Sequence, residues 1–547
     1  MIDTHATPGS PIAEPRTQAR KPQVGASKRH AFLVASGIFL SRLAGLVRER
    51  VFAHYFGISE AADAFKAAFA IPNFLQTMFG EGVLSASFIP VYAGLLAKED
   101  LDEADRTAGA IAGLLALAVS ILVLAGVFAA PYLVDVIAFG FHGAKRELTI
   151  RLVRILFPGA GLLAISAWCL GILNSHKKFF LSYTAPVLWN AAMIGAMIGW
   201  GGRYAQYPLA EVLAWGSVIG SALQVAIQFP VVLRLLRRLR VTLRYQTEHV
   251  KEVVRNFVPV FTGRGVVQIS AYVDRLLASL LPTGAVAALA SAQTLFMLPV
   301  SLFGMSVSAA ELPHMSGAIG DEQDVAPVLR ARLDSGLRQI AFFVVPSIAA
   351  FLILGDVTVG AIYRTGRFSQ ADVFYVWGIL AGWTLGLLPS TLGRLYSSTY
   401  YALRDTRTPL RYAVIRVVLT TGLGYACAIS LPPVMGISPR WGVAGLTISA
   451  GMASWVEFTL LRRTLNRRIG TTGVPAAYMT KVGIAAFGAA GAAWLIHHAF
   501  RHHSPILAAV VVLVPFGFLY FAATLALGLS EVRVLFNRFR SLANRAR

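Results

Sequence analysis

Long apolar runs separated by short polar connections recur from residue 31 almost to the end of the chain. A helix rises about 1.5 Å per residue and the bilayer hydrocarbon is about 30 Å thick, so roughly 20 apolar residues make one span. On that measure the chain predicts about fourteen transmembrane helices. Their cores lie at 31–52, 61–80, 108–136, 149–173, 182–201, 209–233, 254–281, 285–311, 337–362, 373–402, 409–430, 442–461, 477–499 and 505–529. The second is expected to break at Pro72, whose ring removes a helical N–H, and again around residues 80–82, with 83–96 a re-entrant or tilted continuation. No succession of short alternating strands suggests a membrane β-barrel. The fold class is all-α and polytopic.

The connections alternate in basic content. One set, at 176–178, 234–244, 404–411 and 462–468 together with both tails, is rich in Lys and Arg, whereas 282–284 and 431–436 are not. By the positive-inside rule both termini face the cytoplasm. The most basic connection falls near the middle of the chain. It divides an N-terminal lobe (30–238) from a C-terminal lobe (251–470) by a cytoplasmic linker (239–250). Two further helices (471–530) and a basic tail (531–547) complete the plan of two six-helix lobes plus two. Residues 1–29, polar and holding four prolines, read as a disordered cytoplasmic tail rather than a removable signal.

Composition agrees: 56% of residues are hydrophobic and 14% charged, against about 25% charged in soluble domains. The net charge of +22 lies in loops on one side, so it reads as a topology signal and not as nucleic-acid binding. Cys169 and Cys427, both in apolar spans, read as small buried hydrophobes. There is no Walker A loop, HExxH, nucleophile elbow or CxxC pair, and His497, His498, His502 and His503 read as a solvated loop. Neither covalent chemistry, a cofactor nor a metal is expected.

What stands out is charge inside the spans. Arg42, Arg48, Glu49, Arg50, Asp63, Lys66 and Glu81 thread the first two, and each charge in hydrocarbon costs roughly 2.5–3.5 kcal/mol on insertion scales. Ser41, Gly45 and Arg48 share one helical face, and Arg42 lies about 16 Å into its span, where snorkelling is difficult. Asp63 and Lys66, at i, i+3, are placed either to neutralise each other or to line a cavity with Asn73. Arg264, Gln268, Tyr272 and Arg275 form one stripe, with Asp274 set to pair with Arg275 or to bind a coupling cation. Arg394 lies on a stripe with Thr391, Ser398 and Tyr401. Snorkelling or structural ion pairing stays open for Arg48, Arg50, Arg275 and Arg394. Arginine stays charged and forks onto phosphate oxygens, so a mainly cationic cavity for an anion is the expectation.

The same residues carry a family likeness. Ser41-Arg-Leu-Ala-Gly-Leu-Val-Arg-Glu49, Ala62-Asp-Ala-Phe65, Ile71-Pro-Asn-Phe74, Phe79-Gly-Glu-Gly82 and Ser87-Phe-Ile-Pro-Val-Tyr92 resemble the MurJ (MviN) lipid II flippases of the MOP exporter superfamily. Gln268-Ile-Ser270, Val273-Asp-Arg-Leu-Leu-Ala-Ser279, Leu298-Pro299 with Gly304, Gly366-Arg-Phe368 and the run from Tyr400 to Pro409 extend the likeness over residues 30–470. The resemblance implies alternating access by two lobes in the bacterial cytoplasmic membrane. The ligand it implies is lipid II or a related undecaprenyl-diphosphate lipid, with its tail in a groove of the last two helices, and enzymes of cell-wall synthesis as partners. Ser41, Arg42, Arg48, Asp63, Asn73, Glu81 and Gly82 match the family's first-lobe pattern, and Arg42 and Arg48 would contact the diphosphate. Gln76 and Thr294 stand where the family commonly has arginine, and Met297 where some members carry an acid. An exporter of another polyprenyl-diphosphate glycan, a multidrug antiporter and a non-transporting scaffold are the alternatives.

Overall fold

The computed structural model describes residues 24–532 apart from 80, 244, 246, 318–321, 500–503 and 530. Within its helices the side chains at 24–35, 75, 76, 78, 79, 81, 82, 85, 258–271 and 322–324 lie outside the description.

The chain runs as α1 (Val24–Phe56), α2 (Glu60–Phe79), α3 (Glu81–Ser87), α4 (Ile89–Ala97), α5 (Leu101–Phe128), α6 (Ala130–Ile137) and α7 (Gly143–Ser175). There follow α8 (Phe179–Trp200), α9 (Gln206–Leu235), α10 (Glu248–Ser279), α11 (Ala285–Pro299), α12 (Ser306–Ser316), α13 (Glu322–Ile353) and α14 (Gly355–Tyr363). Last come α15 (Gln370–Ala402), α16 (Arg407–Tyr425), α17 (Leu431–Val434), α18 (Gly442–Ile469), α19 (Ala476–Ala499) and α20 (Pro505–Ala526). No strand occurs among the described residues. Eleven helical stretches among them are long and apolar enough to cross a membrane. The three remaining expected spans are the charged helices α1, α2 and α10.

Pro72 does not break α2, which continues to Phe79. Its neighbours Ala67, Ala68, Ala70 and Ile71 are buried, and that packing outweighs the one hydrogen bond a proline removes. The interruption comes beyond Phe79, and α3 and α4 take up the expected continuation. Between α11 and α12 the helix widens into a π segment, Val300–Met305, directly after Pro299, the kind of local irregularity that often marks functional helices.

Lipid tails are as apolar as leucine, so close helix packing in a membrane relies on small residues. The second half follows this rule: a Cβ on Gly386 of α15 would stand 2.7 Å from the Gly451 Cα of α18, so the two backbones touch. In the first half α7 is the buried centre, enclosed by α2, α5 and α9, while in the second α15 packs against α11, α13 and α18. The α19–α20 hairpin rests on α13 and α14, where the Tyr520 hydroxyl donates to the Phe342 carbonyl at 2.5 Å.

The connection from α9 to α10 is pinned to the first half. Asp105 Oδ2 accepts the Arg238 N–H at 3.0 Å, and the Thr242 N–H donates to the Gly109 carbonyl at 3.4 Å. The backbone fits because Gly109 and Gly113 of α5 carry no side chain: a Cβ there would lie 2.2 Å from the Arg240 carbonyl oxygen and 2.4 Å from that of Thr242.

Candidate functional site

Five charges of the first half gather around two buried carboxylates, Glu49 with two cations and Asp63 with one. Glu49, 5% exposed, is the hub of one. Its Oε1 accepts from Arg48 Nη2 at 2.9 Å and its Oε2 from Lys66 Nζ at 2.6 Å. Aromatic faces complete the surroundings: Lys66 Nζ stands 4.4 Å from the Phe52 ring centre and Arg48 Cζ 5.1 Å from that of Trp189. Two cations on one carboxylate leave a net positive group.

Asp63, 1% exposed, is the hub of the second. Its Oδ2 accepts from Lys145 Nζ at 2.7 Å and from the Gly284 N–H at 2.7 Å, while Oδ1 accepts the Ala287 N–H at 2.8 Å. The expected Asp63–Lys66 neutralisation is therefore replaced by two separate pairings, because tertiary partners outcompete the local i, i+3 one. Asp63 also does for α11 what an N-cap side chain does within one helix, satisfying orphan amides at its positive end. The helix has no side-chain cap of its own, since Gly284, with φ +93, occupies the N-cap position. A Cβ on Gly284 would stand 2.2 Å from Ile58 Cγ2, so the first half presses directly on this turn.

Other contacts between the halves gather at the same end of the bundle. Arg50 Nη1 donates to the Ala361 carbonyl at 2.7 Å, in the last turn of α14, and the Arg367 N–H donates to the His54 carbonyl at 2.9 Å. The turn that carries Arg367 has Gly366 at φ +53, where a Cβ would lie 2.3 Å from the His54 oxygen. Deeper in, the Tyr272 hydroxyl donates to the Ala70 carbonyl at 2.9 Å and Arg42 Nη1 donates to Ser301 Oγ at 2.9 Å, on the π segment. Apart from the linker, hydrogen bonds between the halves lie in these two zones among the described residues.

The remaining expected site residues are placed as follows. Ser41 is half-buried, Arg42 and Asn73 are exposed, and a Cβ on Gly45 would meet open space. Arg275 Nη2 reaches Gln293 Oε1 at 3.5 Å and its Cζ stands 5.4 Å from the Tyr272 ring centre, while Asp274 lies in electrostatic range of both Arg416 and Arg275. Asp274 Oδ1 is buried without a hydrogen-bond partner among the described residues. Arg394 is exposed and belongs to a different group, in electrostatic range of the Arg416–Glu457 pair, which closes at 3.2 Å between α16 and α18. The side chains of Glu81, Arg264, Gln268 and Gln76 lie outside the described residues. Thr294 donates back to the Ala290 carbonyl at 3.0 Å.

Sequence reasoning missed Lys145, Trp189, Ser301, Gln293, Arg416 and Glu457. Arg416 and Glu457 fall inside expected spans, so the rule that flagged Arg42 applies to them equally. Nothing local marks Lys145, which precedes a span. Among the described residues no three His, Cys, Asp or Glu side chains are grouped to hold a metal. Chemically, Arg42, Arg48 and Arg275 are guanidinium donors, a residue type suited to holding an anion without covalent chemistry.

Comparison with known proteins fits this arrangement to one family. The family model described as lipid II flippase MurJ matches residues 52–514. A lipid II flippase MurJ from Burkholderia cenocepacia is 31% identical over 451 residues, 80% of this chain and 84% of the relative. A probable lipid II flippase MurJ from Bdellovibrio bacteriovorus is 32% identical over 80% of this chain and 82% of its own. Among solved structures, a lipid II flippase MurJ in an inward closed conformation matches with a TM-score of 0.72 at 22% identity, covering 91% of this chain and 99% of that one. An inward-facing multidrug resistance MATE family transporter of the MOP superfamily gives 0.62 at 18% identity over 80% and 98%. The structural likenesses speak for the fold, and the family match, which covers most of the length, settles membership: the chain belongs to the lipid II flippase MurJ family.

Proposed function

We propose that this chain moves lipid II from the inner to the outer leaflet of the bacterial cytoplasmic membrane by alternating access, with no bond made or broken. The observation that carries the reading is the seam between the two halves. Arg42 bonds across it to Ser301, Arg48 and Arg275 stand on helices of opposite halves, α1 and α10, and Asp63 and Arg50 close one end. With both termini cytoplasmic, the closed end faces outward and the cationic groups are reached from inside. The diphosphate is the natural ligand for these guanidinium groups; Ser41, Lys66, Asn73, Glu81, Arg264 and Gln268 are the further cavity residues of this reading, while Arg394 stands apart beside the Arg416–Glu457 pair.

In this mechanism the lobes at 30–238 and 251–470 rock about the linker, and the hairpin at 471–530 carries the polyprenyl tail. In the outer seal the bonds of Asp63 and Arg50 are charge-assisted, each worth about 1.5–3 kcal/mol, and the Arg367–His54 backbone bond adds a neutral one. Lipid II shifts the balance between states only by binding one better than the other. Asp274, with an unpartnered carboxylate oxygen, is the candidate for ion coupling. Expression in a strain depleted of its own lipid II flippase tests the reading: growth is expected, and failure to rescue despite membrane insertion contradicts it. A second reading, export of another polyprenyl-diphosphate glycan, is favoured by Thr294, an uncharged side chain where the family commonly has a cation. Rescue by this chain of a strain lacking such an exporter, without rescue of flippase depletion, would select it.

A further inference from the structure

We infer that Trp189 is a positioning residue of the anion site: its indole face holds the Arg48 guanidinium toward the seam and so sets the affinity for a diphosphate. The inference rests on the cavity reading above and adds a residue that reading does not need.

The indole is fixed on three sides. Its Nε1–H donates to Ser217 Oγ at 3.1 Å, and Ser217 is itself 4% exposed. One face stacks on Phe69 at 5.8 Å between ring centres, with 24° between planes. Across it runs α9, where Gly220 alone leaves room: a Cβ there would lie 2.9 Å from the Trp189 Cα and 3.0 Å from its Cδ1. The Arg48 Cζ stands 5.1 Å from the Trp189 ring centre, within cation–π range.

The consequence for Arg48 is chemical. A guanidinium has five N–H donors and no acceptor. Among the described residues it gives one to Glu49, and a ring face attracts the cation without consuming another donor. The fork therefore stays available for phosphate oxygens. An acidic or amide neighbour in place of Trp189 would take those donors, and an aliphatic one would leave the guanidinium to swing onto both oxygens of Glu49.

The test is lipid II binding to the full-length protein in nanodiscs, read in a double-mutant cycle. A cation–π contact of about 0.5–2 kcal/mol corresponds to roughly 2- to 30-fold in affinity. Trp189→Leu is expected to weaken binding by that factor, Trp189→Phe to stay within about 3-fold of wild type, and both to melt close to wild type. On an Arg48→Gln background Trp189→Leu should cause no further loss, which a merely structural role would not produce. Should Trp189→Leu fail to fold, Ser217→Ala keeps the ring and frees its N–H. It should weaken binding about 2- to 10-fold with Arg48 present and not with Arg48→Gln. Equal losses on both backgrounds, or wild-type binding by Trp189→Leu, overturn the inference. Absence of lipid II binding by the wild type overturns the functional reading itself, and this inference with it.

Discussion

The Asp63 carboxylate of α2 accepts the backbone N–H of Ala287, 224 residues away, at 2.8 Å and thereby caps a helix of the opposite half. With Lys145 and Gly284 on its other oxygen, Asp63 is one of the points where the two halves hold each other.

Asp63→Ala should open that end. It removes a helix cap worth about 1 kcal/mol and leaves the Lys145 ammonium without its carboxylate, so a shift of 1.4 kcal/mol or more, about tenfold, is expected. An Ile58→Cys probe in a Cys169→Ala, Cys427→Ala background should react about ten times faster with a membrane-impermeant thiol reagent when Asp63 is replaced. Unchanged labelling would mean that Asp63 does not hold the seal.

Gly366→Ala should act on the second part of the same seal. At φ +53 an alanine is strained, and its Cβ would lie 2.3 Å from the His54 oxygen. The same probe should become more accessible by roughly 5- to 10-fold. Labelling equal to that of the parent would show that the 364–369 turn rests on α1 without sealing.

Glu49→Gln leaves Arg48 and Lys66, with side chains 18% and 13% exposed, without the charge between them. A loss near 3 kcal/mol, the low end for a broken buried pair, is expected as a thermal midpoint lowered by several degrees. Adding Lys66→Met should recover part of it, since one stranded cation is removed. Additive losses in the double variant would show that Lys66 is stabilised by something other than Glu49.

These pairings explain how much could be read in advance. The spans follow from apolar runs longer than any soluble helix needs, and Arg42 declared itself by its depth. The partners did not. Arg42 meets Ser301 across 259 residues and Asp63 meets Gly284 across 221, and no local periodicity encodes such a distance. Lys66 misled because i, i+3 spacing offered Asp63, whereas Glu49 on the adjacent helix stands 2.6 Å away. Pro72 misled similarly: its cost is local, and the buried neighbours that overrule it are tertiary.

Asp405, in the connection between α15 and α16, predicts a pH dependence. Burial pushes its pKa up, but the Thr408 N–H at 3.0 Å, the Thr408 hydroxyl at 2.8 Å and Arg468 at 3.0 Å outweigh it and hold the carboxyl below its ordinary range. A depressed carboxylate contributes stability above its unfolded pKa, about 3.9, and loses it as pH falls through the folded value. Asp405→Asn should therefore melt below the parent at about pH 7, and the gap should narrow as the pH falls below about 3.9, measured in detergent. A difference that persists undiminished in acid would contradict this.

In the proposed function lipid II crosses through a seam lined by Arg42 and Arg48. The most direct test is the appearance of lipid II in the outer leaflet of cells whose only flippase is this chain. Wild type should expose it, and the Arg42→Ala, Arg48→Ala double variant, inserted at equal level, should expose at least about tenfold less, as loss of two guanidinium–phosphate contacts demands. Undiminished exposure by the double variant would contradict the account.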